Sequence, residues 1–211
     1  ILWDKNAEKV AGAYRLGLGK EIYLHKGIKG FYMSALFRLS GDIHEVFKSS
    51  IEMGRAFITA QHQQKHLPLF LLWKGIFEVA NRHPEYKYLI GAASISNHYS
   101  KFSQSLMVEY LKKYHFDDNK AKNITPNQTF RSVLKPKDLS LLNELGSDHL
   151  RALDKMIEEI EPQGLKIPVL IKKYLLQNAQ ILGFNIDTAF NDALDCLMYI
   201  EISNIEMTRD S

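Results

Sequence analysis

Cysteine is almost missing from this 211-residue chain. Cys196 is the only one, so no disulfide can form within it, and a reducing, cytoplasmic setting is the expectation. Long apolar runs are missing too: none approaches the roughly 20 residues that a bilayer-spanning helix needs, so any contact with the inner membrane is expected to be peripheral. Neither sign of charge dominates. Lys and Arg number 27 against 24 Asp and Glu, a net charge of +3, which suits anionic lipid, an acidic carrier protein or phosphate but is too weak to argue for nucleic acid. Motifs of several chemistries are absent as well: no CxxC or HExxH for zinc, no GxSxG around a serine nucleophile, and no glycine in the polar loop that would be needed for a P-loop. His62 and His66 stand four apart, a zinc spacing only if both lie on one helical turn, and no metal site is expected. Two glycosylation sequons, Asn123-Ile124-Thr125 and Asn127-Gln128-Thr129, come with no other sign of secretion and read as chance matches. The chain opens on Ile1-Leu2-Trp3-Asp4, inside an apolar segment and without an initiator Met, so a piece of a longer polypeptide is expected.

What is present is the composition of a globular protein, with 45% hydrophobic and 24% charged residues and enough length for a substantial core. Residues 1–4 read as the end of a strand, 5–9 as a tight turn, and 10–18 as the returning strand of a hairpin. Residues 19–48 are mixed, with a brief strand or helical turn at 31–39. A strand is expected near 50–58, then a helix from Leu67 to Ala80 or Asn81 with Pro68 in its first turn and Leu69, Leu72, Trp73, Ile76 and Val79 on its core face. Residues 86–95 read as a buried strand whose small central residues let something approach its backbone closely. A helix follows over 99–113, capped by Ser96 or Asn97. Residues 115–148 read as loops with one strand at 130–134. A helix capped by Ser147 or Asp148 runs to Glu161, another spans 167–180, and a last strand covers 196–202. No internal repeat, low-complexity run or linker is apparent.

The stretch 49–76 carries most of the chemistry. Strict alternation would place Glu52 and Arg55 on opposite faces. A one-residue bulge at Gly54 would turn Arg55 to the Glu52 side, splay the strand from its neighbour, and free backbone N–H groups near Phe57, Ile58 and Thr59 for an extended ligand. The same residues also fit a structural ion pair in a regular strand. Arg15 lies on a face of small residues with Ala11, Ala13 and Gly17, where it can meet a substrate or simply face solvent. The loop 61–66 precedes a helix N-terminus, where backbone N–H groups and Lys65 could hold phosphate.

Taken in order, VAGAYRL, IEMGRAFI, LPLFLLWKGI, YLIGAASIS and the tail IPVLIKKYLLQNAQILGFNID…FNDALDCLMYIEI, with Asp192 and Asp195, resemble GNAT-like bacterial N-acyltransferases. These enzymes acylate an amino acid such as ornithine or glycine to start aminolipid synthesis, and some relatives carry a hemolysin label; no pore-forming segment supports lysis here. A more distant similarity is to acyl-homoserine-lactone synthases. The resemblance implies an α/β (α+β) fold, a mixed, mainly antiparallel twisted sheet flanked by helices, lacking the first strand and helices of the full domain. It implies a single domain over 1–211, with a core at 1–114 and an extension over 115–211 completing the sheet. It also implies transfer of a fatty acyl group, plain or 3-hydroxylated, from acyl carrier protein or coenzyme A to the amine of a small amino acid, with no resident cofactor. By the same resemblance Glu52 and Arg55 are catalytic, Glu52 taking the amine's proton; Asp4 and Arg15 bind substrate; Phe57, Ile58, Thr59, Gln64 and Lys65 bind the acyl thioester. The usual GNAT phosphate loop, Arg/Gln-x-x-Gly-x-Gly/Ala, is replaced here by QHQQKHLP, which favours an acyl-carrier-protein donor over coenzyme A. The alternative is a non-catalytic module that docks a carrier protein or the membrane surface for a fused acyltransferase, using lysines such as Lys166, Lys172 and Lys173.

Overall fold

The computed structural model describes residues 1–63, 65–145 and 148–205, with the side chain of His66 excepted. Its elements in chain order are β1 (Leu2–Asp4), β2 (Lys9–Leu18), α1 (Gly19–Lys26), β3 (Phe37–Leu39), α2 (Ile43–Lys48), β4 (Ser50–Ile58), α3 (His66–Arg82), β5 (Tyr88–Ile95), α4 (Lys101–His115), α5 (Asp118–Ala121), β6 (Ile124–Pro126), α6 (Pro136–Leu139), α7 (His149–Ile160), α8 (Val169–Leu176), β7 (Gln180–Asp187) and β8 (Ala193–Glu201). Single turns of 3-10 helix at Gly27–Gly30 and Tyr32–Ala35 join α1 to β3. Six strands form one mixed sheet in the order β1-β2-β4-β5-β8-β7, in which only β4 and β5 run parallel; β3 and β6 form a separate antiparallel pair. This is the mixed, mostly antiparallel sheet flanked by helices that the resemblance implied.

Strand alternation divides the core in two. Ile51, Met53, Leu89, Ala93 and Ile95 face the helices α3, α4, α7 and α8, whereas Ile90, Leu197 and Tyr199 face Phe31, Met33, Phe37 and Phe47. Helix α3 buries Leu72, Trp73, Ile76 and Ala80 along one stripe, as its spacing predicts.

Several elements depart from their sequence expectations. Helix α1 has Ile22, Tyr23 and Leu24 side by side, not spaced by helical turns, so it leaves no periodic signal. Helix α4 starts two residues later than expected: its cap is Ser100, whose side chain accepts from the Ser103 N–H, and neither Ser96 nor Asn97 fills that position. Asp148 precedes α7 without a side-chain cap bond, and Ser147 lies outside the described residues. The strand expected at 130–134 is absent, because Val133 donates its N–H to the Ser105 hydroxyl and not to a ladder; the strand in this region is β6. Helix α8 stops at Leu176, not at 180, since Asn178 adopts a left-handed conformation with φ 58°. Strand β7 begins at Gln180 and with β8 extends the sheet beyond β5.

The ladder between β4 and β5 has only three pairs, ending at Glu52↔Ile90, while β5 goes on pairing with β8 as far as Ile95. At the point of parting, a Cβ on Gly91 would stand 2.6 Å from the Met53 carbonyl oxygen. The close approach expected of this strand is therefore made by β4 itself. Gly91→Ala must push the two strands apart, and urea denaturation should show a loss of about 1–3 kcal/mol.

Candidate active site

Between β2 and β4 the register advances two residues, from Ala13 to Arg15, against three, from Phe57 back to Gly54. The extra residue is a bulge, and Arg55 within it has φ 54°. The expected bulge therefore falls one residue after Gly54. Gly54 has a different use: the Arg15 guanidinium lies over it, 3.3 Å from where a Cβ would be.

The bulge brings both arginines to one face. The Arg15 and Arg55 guanidiniums stand 5.9 and 5.3 Å from the centre of the Tyr32 ring. Beneath them Glu52, 4% exposed, accepts from the Met33 N–H at 3.2 Å and faces Arg15 Nη2 at 3.9 Å. Burial pushes its carboxyl above the usual range, against the opposing pull of the Tyr32 and Met33 N–H groups and Arg15.

Two clefts meet where β4 leaves β5. One, of about 510 Å³, passes through the gap: Arg15, Tyr32, Arg55, Ser94, Asp187 and Asp195 line it, with Ala92 and Ala93 at its floor and Tyr174 on its far side. The other, of about 520 Å³, lies on the α3 side, between Phe57, Ile58, Leu69 and Leu72 and the α8 residues Val169 and Leu170, with Gln63 and Lys65 among its polar lining. Tyr14, Ala56, Phe57 and Leu170 line both, so the clefts are continuous. At this junction the hydroxyls of Tyr14 and Tyr174 are hydrogen-bonded at 2.6 Å, and burial raises the pKa of each.

The sequence-nominated residues divide into two groups. Arg15, Glu52 and Arg55 come together; Phe57, Ile58 and Lys65 line the apolar cleft. Glu52 does not line the gap cleft, because Met33 and Arg15 cover its carboxylate. Asp4 belongs to the β1–β2 turn: it accepts from the Asn6 and Ala7 N–H groups at 2.9 and 3.1 Å and pairs with His62 at 3.0 Å. The Ala7 N–H, then His62, holds its carboxyl below the usual range. Thr59 lines neither cleft, and its N–H is not free, since the Ala11 carbonyl accepts it at 2.9 Å. Gln64 lies outside the described residues. His62 sits between Asp4 and the Thr59 hydroxyl, and among the described residues no group of three His, Cys, Asp and Glu converges as a metal site. Of the tail lysines, Lys166 pairs with Glu158 and Lys172 with Asp154.

Sequence reasoning assigned no role in the site to Tyr32, Tyr14, Tyr174, Ser94, Asp187 or Asp195. Asp195 alone carried a signal, as part of the tail motif. Asp192, its companion there, is exposed in the left-handed turn between β7 and β8.

Comparison with known proteins adds three findings. Residues 1–73 match the family model of an acetyltransferase (GNAT) domain. Across 97% of its length the chain is 27% identical to the glycine N(alpha)-acyltransferase of Bacteroides thetaiotaomicron and 26% identical to that of Phocaeicola vulgatus. It spans 63% and 65% of the length of these relatives. No solved structure matches the chain. Among the described residues no helix is long and apolar enough to cross a membrane.

The folded state binds the Glu52 proton more tightly than the unfolded chain does, so the associated stability is full below the ordinary glutamate range and is lost as pH rises through the elevated value. Glu52→Gln, which keeps an acceptor for the Met33 N–H, should be at least as stable as wild type at pH 7, with the gap closing at pH 4. Urea titrations at the two pH values measure it.

Proposed function

We propose that this chain is an N-acyltransferase, moving a fatty acyl group from a thioester to the amine of a small amino acid, as its relatives, named glycine N(alpha)-acyltransferases, suggest. The observation that carries this reading is the meeting of an apolar cleft and a charged cleft at the parting of β4 and β5. A thioester donor has a long apolar arm and a reactive carbonyl; an amino acid has a carboxylate and an amine. Each fits one cleft, and the junction is where the two would react.

In this reading the acyl chain lies between Leu69, Leu72, Val169 and Leu170, and the carrier's phosphopantetheine approaches past Lys65. Acyl carrier protein and coenzyme A both supply that arm. The modified loop before α3 favours the carrier protein, and an acyl product points to aminolipid synthesis, with peripheral contact at the inner membrane. Beyond Glu52 the edge of β4 facing β5 is unpaired in the sheet, and alternation turns the backbone of Ile58 toward that edge, where an N–H can meet the developing oxyanion. Arg15 and Arg55 bind the acceptor carboxylate. Glu52 enters as the buried carboxylate that fixes Arg15 and the Phe31–Met33 segment. The Tyr14–Tyr174 pair, kept protonated by burial, stands at the junction to return a proton to the leaving thiolate.

Orienting two reactants in this way is itself a large part of the rate. Lipid mass spectrometry of cells expressing the gene that encodes this chain should reveal an N-acylated amino acid absent from control cells. Unchanged lipids, together with retained binding of acyl carrier protein, would instead identify a docking module. Arg55→Leu removes one charged hydrogen-bonding partner of the substrate carboxylate, worth about 1.5–3 kcal/mol, so kcat/KM for the amino acid should fall roughly 10- to 100-fold.

A further inference from the structure

The gap cleft is divided by charge. On the side of β2 and β4 stand Arg15 and Arg55; on the side of β7 and β8 stand Asp187 and Asp195. These two aspartates are 8% and 4% exposed, and both line the cleft. Asp195 lies opposite Ser94 in the β5–β8 register and accepts its hydroxyl at 2.5 Å through Oδ1, leaving Oδ2 without a hydrogen-bond partner among the described residues. Asp187 is held by the Ala189 N–H at 3.0 Å. Asp195 Oδ2 is not among the buried atoms that lack a partner, and because Asp195 lines the cleft it is open to a cation bound there. The opposing guanidiniums line the other wall, under the ring of Tyr32. A small molecule with an anionic end and a cationic end satisfies both walls at once.

Resting on the acyl-transfer reading, we propose that Asp195 takes the proton of the acceptor amine through Oδ2, with Asp187 holding the amine, while Arg15 and Arg55 hold the carboxylate of the same zwitterion. The ammonium gives one proton to Asp195; the neutral amine then attacks the thioester carbonyl, forming the C–N bond. When the C–S bond breaks, the second nitrogen-bound proton goes with the thiolate, by way of the Tyr14–Tyr174 pair, and the amide keeps the third. Asp195 afterwards releases its proton to solvent. Burial, and then the charge of Asp187, raise the Asp195 carboxyl against the pull of Ser94, which brings its basicity closer to what the step needs. Other ionisable or polar groups around it are Asn185, buried directly opposite it on β7, Arg15 and Arg55 across the cleft, Tyr32 beside them, and Tyr174 from α8. Glu52, covered by Met33 and Arg15, supports this face without reaching the amine.

The test uses the protein as its gene encodes it, with an acyl thioester and two acceptors, glycine and aminooxyacetate, whose amine is already neutral at pH 7. Asp195→Asn should lower kcat/KM for glycine by about 10²- to 10⁴-fold. That deficit should shrink roughly tenfold per pH unit as the amine loses its own proton, while aminooxyacetate is acylated within a few-fold of the wild-type rate. Ser94→Ala, which keeps the carboxylate and removes a bond that lowers its pKa, should move the acidic limb of the pH–rate profile upward, and it decides the matter if the Asn variant does not fold. Equal loss with both acceptors, unchanged activity with glycine, or an unmoved limb in Ser94→Ala overturns the role of Asp195 in an active enzyme. A wild-type protein that acylates no amino acid overturns the acyl-transfer reading, and this inference with it.

Discussion

The site depends on one backbone event, the departure of β4 from β5 after Glu52. The two strands run parallel and share three pairs, and then β4 inserts an extra residue against β2 and curves away while β5 continues beside β8. Gly91 permits the final close approach to the Met53 carbonyl, and Arg55 accepts a left-handed backbone so that β4 can keep its bonds to β2. A left-handed conformation is uncommon for a residue with a side chain. Here it coincides with the point at which a guanidinium is turned into a cleft, the kind of place where local strain and function coincide.

The opened gap links the two faces of the sheet. On one, α3 and α8 leave an apolar slot; on the other, the Phe31–Met33 segment covers Glu52 and sets Tyr32 beside two arginines. An intact β4–β5 ladder would close this route, because neighbouring strands stand only about 4.8 Å apart. The same event thus leaves a strand edge unpaired, joins two clefts, and faces the charged groups of β2 and β4 toward those of β7 and β8. Burial in this region carries an electrostatic cost, since Glu52 and Asp195 both have raised pKa values with desolvation as the leading cause. Glu52 is compensated by backbone N–H groups and Arg15; Asp195 accepts from Ser94 on one oxygen and opens the other to the cleft.

Local chemistry made much of this legible before any tertiary structure was considered. The hairpin, the helix after Lys65, the small-residue strand and the Glu-x-x-Arg pair all show in residue type and spacing, because each depends on neighbours within a few positions. The need for a bulge follows from the same alternation: two charged residues three apart can share a face only if the strand gains a residue. What stayed hidden had non-local causes. Helix α1 lacks periodic apolar residues, β7 takes its place through its pairing with β8, and the segment at 130–134 is bonded by a side chain from α4 and not by a strand.

Sequence alone therefore determined which residues could carry charge into the site and that Glu52 and Arg55 share a face only across a bulge, because strand alternation is governed by short-range sterics; Arg15 joined them through the family resemblance. Only the tertiary structure decided what each could reach. It withdrew Asp4 into a turn with His62, committed the Thr59 N–H to Ala11, and covered Glu52 with Met33. It also carried Asp187 and Asp195, more than a hundred residues further along the chain, to the opposite wall of the same cleft. Register across a sheet is set by packing and pairing between distant strands, and no local pattern encodes which side chains meet across a gap.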